Sequence, residues 1–217
     1  MSSKTPRWRG FGREIRWTLT VLVVAVLGVV ALWPREDDTP STPETPANSG
    51  RAGADLGELR ARAALAECSP APRSGPSVAE LEGASGTCLG DGSPVELADM
   101  LGERGTLINV WASWCPPCRR ELPALQSYSE QPDSVRVIGV QVRSDAAGGL
   151  ELLDSLDVRL PVVHDSGGRV AERLRVPTTL PVSYLVTPEG EVRRMPPEVF
   201  DSATQVRQAV HSELEAR

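Results

Sequence analysis

Apolar residues are spread unevenly along the chain. From Trp17 to Trp33 the sequence WTLTVLVVAVLGVVALW carries no charge, and Thr18 and Thr20 are its only polar side chains. As a helix these 17 residues reach about 25 Å, the short end for a hydrocarbon core about 30 Å thick. The pattern then inverts. Pro34–Ala54 has almost no apolar residues and carries Pro34, Pro40, Pro43 and Pro46 among Thr, Ser, Glu and Asp. Such a segment buries too little surface to offset its ordering entropy, which predicts a disordered, semi-extended tether. Leu56–Glu67 (LGELRARAALAE) reads as a short helix, and Pro70, Pro72, Pro76 and the glycines up to Gly92 predict an irregular stretch.

From Pro94 onward the periodicity is that of a folded domain. Thr106–Ala112 (TLINVWA) and Val135–Val142 (VRVIGVQV) are largely apolar runs, as buried parallel strands should be. Between them Pro116–Ser129 reads as a helix. Two prolines suit its first turn, and Pro123 inside it predicts a kink. Gly148–Leu156 and Gly168–Leu174 read as helices flanking a short strand at Leu160–His164. Val182–Val186 and Glu191–Met195 flank the turn Pro188-Glu189-Gly190 as a hairpin, and Ser202–Ala216 closes the chain as a helix. The order β-α-β-α-β-α-β-β-α predicts an α/β layer fold with a mixed sheet.

Charge adds a direction. Up to Trp33 there are five bases (Lys4, Arg7, Arg9, Arg13, Arg16) against Glu14. This is +4 in a chain of net −6, so the remainder carries −10. Basic residues precede the apolar run, and Glu36, Asp37 and Asp38 follow it. With Trp at both ends, this predicts a single transmembrane helix, N-terminus cytoplasmic and the remainder outside. A cleaved signal peptide is the rival reading, although the run exceeds a usual apolar region and no prompt Ala-x-Ala follows. The expected organisation is a basic cytoplasmic segment at 1–16, a transmembrane helix at 17–33, a tether at 34–67, a Cys-containing lead-in at 68–93 and a folded domain at 94–217. A chain this acidic does not suit nucleic acid, whose phosphates need a positive surface.

The candidate chemistry sits where the first long strand ends. Trp111-Ala112-Ser113-Trp114 leads into Cys115-Pro116-Pro117-Cys118, which opens the next helix. A thiolate attacks disulfides, and a helix N-terminus favours the thiolate of the first Cys. One turn later the second sulfur can resolve the mixed disulfide. Cys115 is therefore the expected nucleophile and Cys118 the resolving thiol. Zinc would need two more ligands, but Cys68 and Cys88 are distant in sequence and His164 and His211 are isolated. No metal and no cofactor other than the Cys pair is expected.

Trp111–Pro123, WASWCPPCRRELP, resembles the active-site motif of thioredoxin-like proteins. It is most similar to the membrane-anchored, extracytoplasmic TlpA/ResA-like branch. The resemblance runs from about Pro94 to the C-terminus and implies a thioredoxin-like fold and dithiol–disulfide exchange. In that family the role is often in cytochrome c maturation or in keeping exported thiols reduced. It also implies that Pro181, in TTLPVSYLV, is a cis-proline contacting substrate backbone, with Leu180 shaping that contact and Pro177 a weaker candidate. Trp114 would border the disulfide and meet substrate, and Trp111 would border it too, although core packing alone explains Trp111 equally well. Glu121, three residues after Cys118, matches the acid proposed to assist proton transfer in the ResA-like branch, and a solvated helix acid is the plain alternative. Asn109, six residues before Cys115, stands where thioredoxins carry a buried Asp. Asn cannot act as a base, which turns attention to Glu121.

Cys68 and Cys88 are expected to form a structural disulfide in an oxidising compartment, with a second redox pair as the sharper alternative. The functional expectation is an extracytoplasmic reductase of exported protein disulfides, apocytochrome c among them, supplied by an integral membrane electron donor. Two alternatives stay open: a disulfide-forming oxidase of the same fold, and a copper-carrying module using His164. A peroxidase is disfavoured, because the chain lacks a Pro-x-x-x-Thr-x-x-Cys pattern.

Overall fold

The largely apolar character of the 106–112 run places that strand where both sheet faces are covered. In the computed structural model every residue of the corresponding strand, Thr106–Trp111, is buried. The structure describes residues 22–23, 56–71 and 76–216. The expected membrane helix at Trp17–Trp33 lies outside them, except for Leu22 and Val23, which are helical and exposed. No helix among the described residues is long and apolar enough to cross a membrane. The fold below belongs to the unit Pro46–Arg217.

The strands are β1 (Ser85–Cys88), β2 (Pro94–Glu96), β3 (Thr106–Trp111), β4 (Arg136–Gln141), β5 (Val162–His164), β6 (Val182–Val186) and β7 (Val192–Arg194). They form one mixed sheet in the order β2-β1-β5-β4-β3-β6-β7. β3, β4 and β5 run parallel, while β6 lies antiparallel to β3, with Asn109 opposite Ser183 and Val110 opposite Val182. The helices are α1 (56–63), α2 (Pro116–Ser129), α3 (Ala146–Ser155), α4 (Arg169–Arg173) and α5 (Ala203–Glu215). α2 packs on α5 and continues through Pro123. Its buried face runs Cys118, Glu121, Leu122, Leu125, Tyr128, the spacing of a core-facing stripe.

Organised structure starts well before Pro94. The lead-in holds β1, which pairs with both β2 and β5, so the sheet has two strands more than the sequence pattern suggested. Four residues, Ser-Gly-Thr-Cys, show no alternation to read, and their register comes from β5. Gly86 is needed there, because a Cβ would lie 2.7 Å from Val163 Cγ1 and 2.8 Å from the His164 carbonyl oxygen. Residues 56–71 are also fastened to the fold. Arg60 Nε donates to the Leu89 carbonyl at 3.1 Å, the Ala66 N–H to the Arg159 carbonyl at 2.8 Å, and the Arg136 guanidinium to the Ser69 carbonyl at 2.7 Å. α1 buries Ala63 completely.

Cys68 and Cys88 are joined as a disulfide that ties this segment to β1, with Cα atoms 5.7 Å apart and a sequence separation of 20. On the chain-entropy model such a loop closure contributes about 3 kcal/mol. The double variant C68A/C88A should therefore unfold several degrees lower by calorimetry while its Cys115–Cys118 exchange rate is kept.

Candidate active site

The strand-to-helix turn after β3 carries the bonded Cys115–Cys118 pair, the candidate redox centre. Ala112 accepts the Cys115 N–H at 3.1 Å, and Cys115 caps α2 with extended backbone, φ −90° and ψ 106°. A helix N-terminus leaves its first amides free for a capping group. Here Pro116 and Pro117 occupy the first two helical positions and have no N–H. The first amide on offer is that of Cys118, and it donates to Cys115 Sγ at 3.3 Å. The two sulfurs are bonded, with Cα atoms 5.3 Å apart. Cys118 is wholly buried and Cys115 nearly so, while Pro116 and Trp114 beside them are exposed, Trp114 by 58%. On reduction, the helix N-terminus and the Cys118 N–H both favour negative charge on Cys115.

Glu121 faces inward. It is 0% exposed, in the apolar stripe of α2, and so is not a solvated helix acid. Its Oε2 accepts from Asn109 Nδ2 at 2.9 Å, and its Oε1 accepts from the Phe200 N–H at 3.5 Å. Asn109 Nδ2 also donates to Ser183 Oγ at 3.1 Å. Burial raises the Glu121 carboxyl to about 7, against the downward pull of the Asn109 and Phe200 hydrogen bonds, and Asp201 adds a smaller upward push. Asn109 Oδ1 is buried and has no hydrogen-bond partner among the described residues. Ser183 and the Phe200 amide escaped sequence reasoning. Ser183 had one legible signal, a polar residue inside the apolar strand VSYLV and register-paired with Asn109.

The Leu180–Pro181 peptide is cis. Val182, the next residue, pairs with Val110, so Pro181 stands at the end of β3 from which the Cys turn departs. Leu180 is buried and Pro181 half-buried. The two tryptophans diverge. Trp111 is a fully buried core residue, whereas Trp114 lies on the surface with its Nε1 donating to the Arg143 carbonyl at 2.9 Å. His164 ends β5 with Nδ1 3.2 Å from Gln141 Oε1. The register His164–Gln141–Trp111 puts it two strands, about 10 Å, across the sheet from Trp111. Among the described residues no group of three or more His, Cys, Asp or Glu is placed to hold a metal ion.

Residues 78–195 match the AhpC/TSA family. The chain is 33% identical over 111 residues to the thiol-disulfide oxidoreductase ResA of Oceanobacillus iheyensis, covering 48% of this chain and 55% of that protein. It is 33% identical over 94 residues to the sporulation thiol-disulfide oxidoreductase A of Bacillus subtilis, covering 41% and 56%. The chain thus spans about half the length of these curated relatives. Among solved structures, a secreted Mycobacterium tuberculosis disulfide oxidoreductase homologous to E. coli DsbE superposes with a TM-score of 0.54 at 20% identity, over 62% of this chain and 99% of that one. A thiol:disulfide interchange protein from Chlorobium tepidum gives 0.52 at 22% identity, over 69% and 98%. At these identities the likeness shows the fold, which is thioredoxin-like.

Proposed function

Because the chain belongs to the AhpC/TSA family, we propose that it is a protein thiol–disulfide oxidoreductase acting as a reductase through Cys115 and Cys118. One observation carries the reading: a bonded Cys pair at the N-terminus of α2, with the Cys118 N–H aimed at Cys115 Sγ. In the reduced form the Cys115 thiolate attacks a substrate sulfur. The substrate disulfide breaks, its far sulfur leaves as a thiolate and takes a proton, and a Cys115–substrate bond forms. Cys118, deprotonated, then attacks Cys115 Sγ. The Cys115–Cys118 bond forms and the second substrate thiolate leaves, so two electrons have passed to the substrate. Glu121 lies one helical turn beyond Cys118 on the same face. With its carboxyl at about 7, it is poised to take the Cys118 proton near neutral pH.

The substrates in this reading are exported protein disulfides, apocytochrome c among them, and an integral membrane donor returns the electrons. The basic flank before Trp17–Trp33 supports a cytoplasmic N-terminus, a membrane-tethered chain and an extracytoplasmic redox domain. The Cys68–Cys88 disulfide also suits an oxidising compartment.

Equilibration of Cys115–Cys118 against a glutathione or dithiothreitol buffer measures the direction. A potential near that of thioredoxin, about −270 mV, is the expected result, and one near about −120 mV would assign an oxidase instead. Failure of the reduced chain to cleave insulin disulfides would remove the reading altogether.

A further inference from the structure

Trp114 and the segment leading into Pro181 lie far apart in sequence, yet one residue holds both. Arg143 sits in the turn between β4 and α3 with φ 52°, left-handed backbone that a non-glycine residue seldom adopts. Its own carbonyl accepts the Trp114 Nε1–H at 2.9 Å. Its guanidinium faces the residues ahead of Pro181. One Nη donates to the Pro177 and Thr178 carbonyls at 3.0 and 3.3 Å, and the other to the Val176 carbonyl at 3.4 Å.

The segment so held, 176–180, belongs to neither helix nor strand, and Thr178 and Thr179 are exposed. Across the turn, Trp114 presents an indole 58% exposed, with its single polar atom tied down. A planar fork of donors satisfies several carbonyls at once, which a lysine ammonium on a flexible stem does not reproduce. The effort spent on three backbone carbonyls goes to a loop with no sheet partner of its own, directly ahead of Leu180 and Pro181.

We propose that Arg143 is a positioning residue, which sets the separation between Trp114 and the Leu180–Pro181 segment so that a polypeptide laid across both is aligned on Cys115. The proposal rests on the disulfide exchange proposed above. A small disulfide needs only the Cys115 sulfur, whereas a protein disulfide needs both walls of the site in place. Loss of such alignment carries a large rate penalty, up to roughly a hundredfold for a displacement of about 1 Å.

The test compares kcat/KM for insulin with that for a small aromatic disulfide such as 5,5′-dithiobis(2-nitrobenzoate). The variant R143G keeps the carbonyl and suits a positive φ, so it removes the guanidinium without straining the turn. The insulin-to-small-disulfide ratio should fall about tenfold, chiefly through KM for insulin, and R143K should recover little of it. An unchanged ratio in a variant with wild-type thermal unfolding overturns the proposal, as does an equal loss on both substrates. If R143G does not fold, W114F carries the test. It removes the N–H that Arg143 accepts and leaves a smaller aromatic ring in place, and it should lower the same ratio, an unchanged ratio again overturning the proposal. A wild-type chain inactive on both disulfides would instead overturn the proposed function, before any variant is compared.

Discussion

Replacing Cys115 by serine should lower insulin reduction to the uncatalysed background, a loss on the order of 10³-fold or more. A serine hydroxyl at a helix N-terminus stays protonated and cannot attack a disulfide, so neither half-reaction starts. Cys118 cannot substitute. It is wholly buried in α2, behind the nearly buried Cys115 to which it is bonded. Replacing Cys118 by alanine should give a different result. Cys115 keeps its N-cap position and attacks once, and with no resolving thiol the substrate remains attached. Non-reducing electrophoresis with mass spectrometry reads this directly as a stable adduct with the substrate, and the captured partner identifies the physiological one. Insulin turnover by C115S, or failure of C118A to trap any partner, would each count against the assigned roles.

The second large effect concerns Glu121 and depends on pH. Its carboxyl titrates at 4.5 in the absence of perturbation and at about 7 in the fold. Between those values the folded chain holds a proton that the unfolded chain has lost. The stabilising contribution of the neutral acid is therefore complete below about pH 4.5 and is lost as pH rises through about 7. The span from 4.5 to about 7 corresponds to about 3 kcal/mol. Glu121→Gln replaces the titrating acid by a neutral group of the same shape. Urea unfolding at pH 8 should show the variant more stable than the parent by up to about 3 kcal/mol, with little difference near pH 4.5. The partners permit the exchange, because Asn109 Oδ1 has no hydrogen bond among the described residues and can receive the new amide after a flip of its own. In activity, the same variant should lose the limb of the kcat/KM profile near pH 7. A variant with the parent's pH dependence in both measurements would show that Glu121 is already ionised in the fold and takes no part in the proton transfer.

These two effects differ in how visible their origin was. The Cys115 turn is local. An apolar strand, two prolines suited to a first helical turn and a Cys at each end of that turn are contiguous, so their geometry follows from chain stereochemistry and helix capping alone. Leu180–Pro181 was legible through the family resemblance. Glu121 was legible only as a position one turn beyond Cys118. Whether that face looked at water or at the core depended on Asn109, Ser183 and the Phe200 amide, which stand 12 to 79 positions away from Glu121 or its partner. The burial that raises its carboxyl follows from packing.

The same division explains what the pattern of apolar residues did not reveal. β1 is too short and too rich in Ser, Gly and Thr to show alternation, and it is a strand because β5 supplies its ladder and Gly86 allows the close approach. Residues 56–71 are ordered by hydrogen bonds to Leu89, Arg159 and Arg136 and by the Cys68–Cys88 bond, all contacts with distant residues. Arg143 shows no pattern of its own, since its importance lies in three carbonyls more than thirty positions away.

Helix periodicity, strand runs and capping act between near neighbours, so the order of elements from Thr106 on, the α/β class and the Cys115–Cys118 turn are legible in the chain alone. Which polar groups are withdrawn from water, and what they meet there, depends on packing between elements distant in sequence. Burial and long-range hydrogen bonds are properties of packed neighbours, and they put a buried acid one helical turn beyond Cys118.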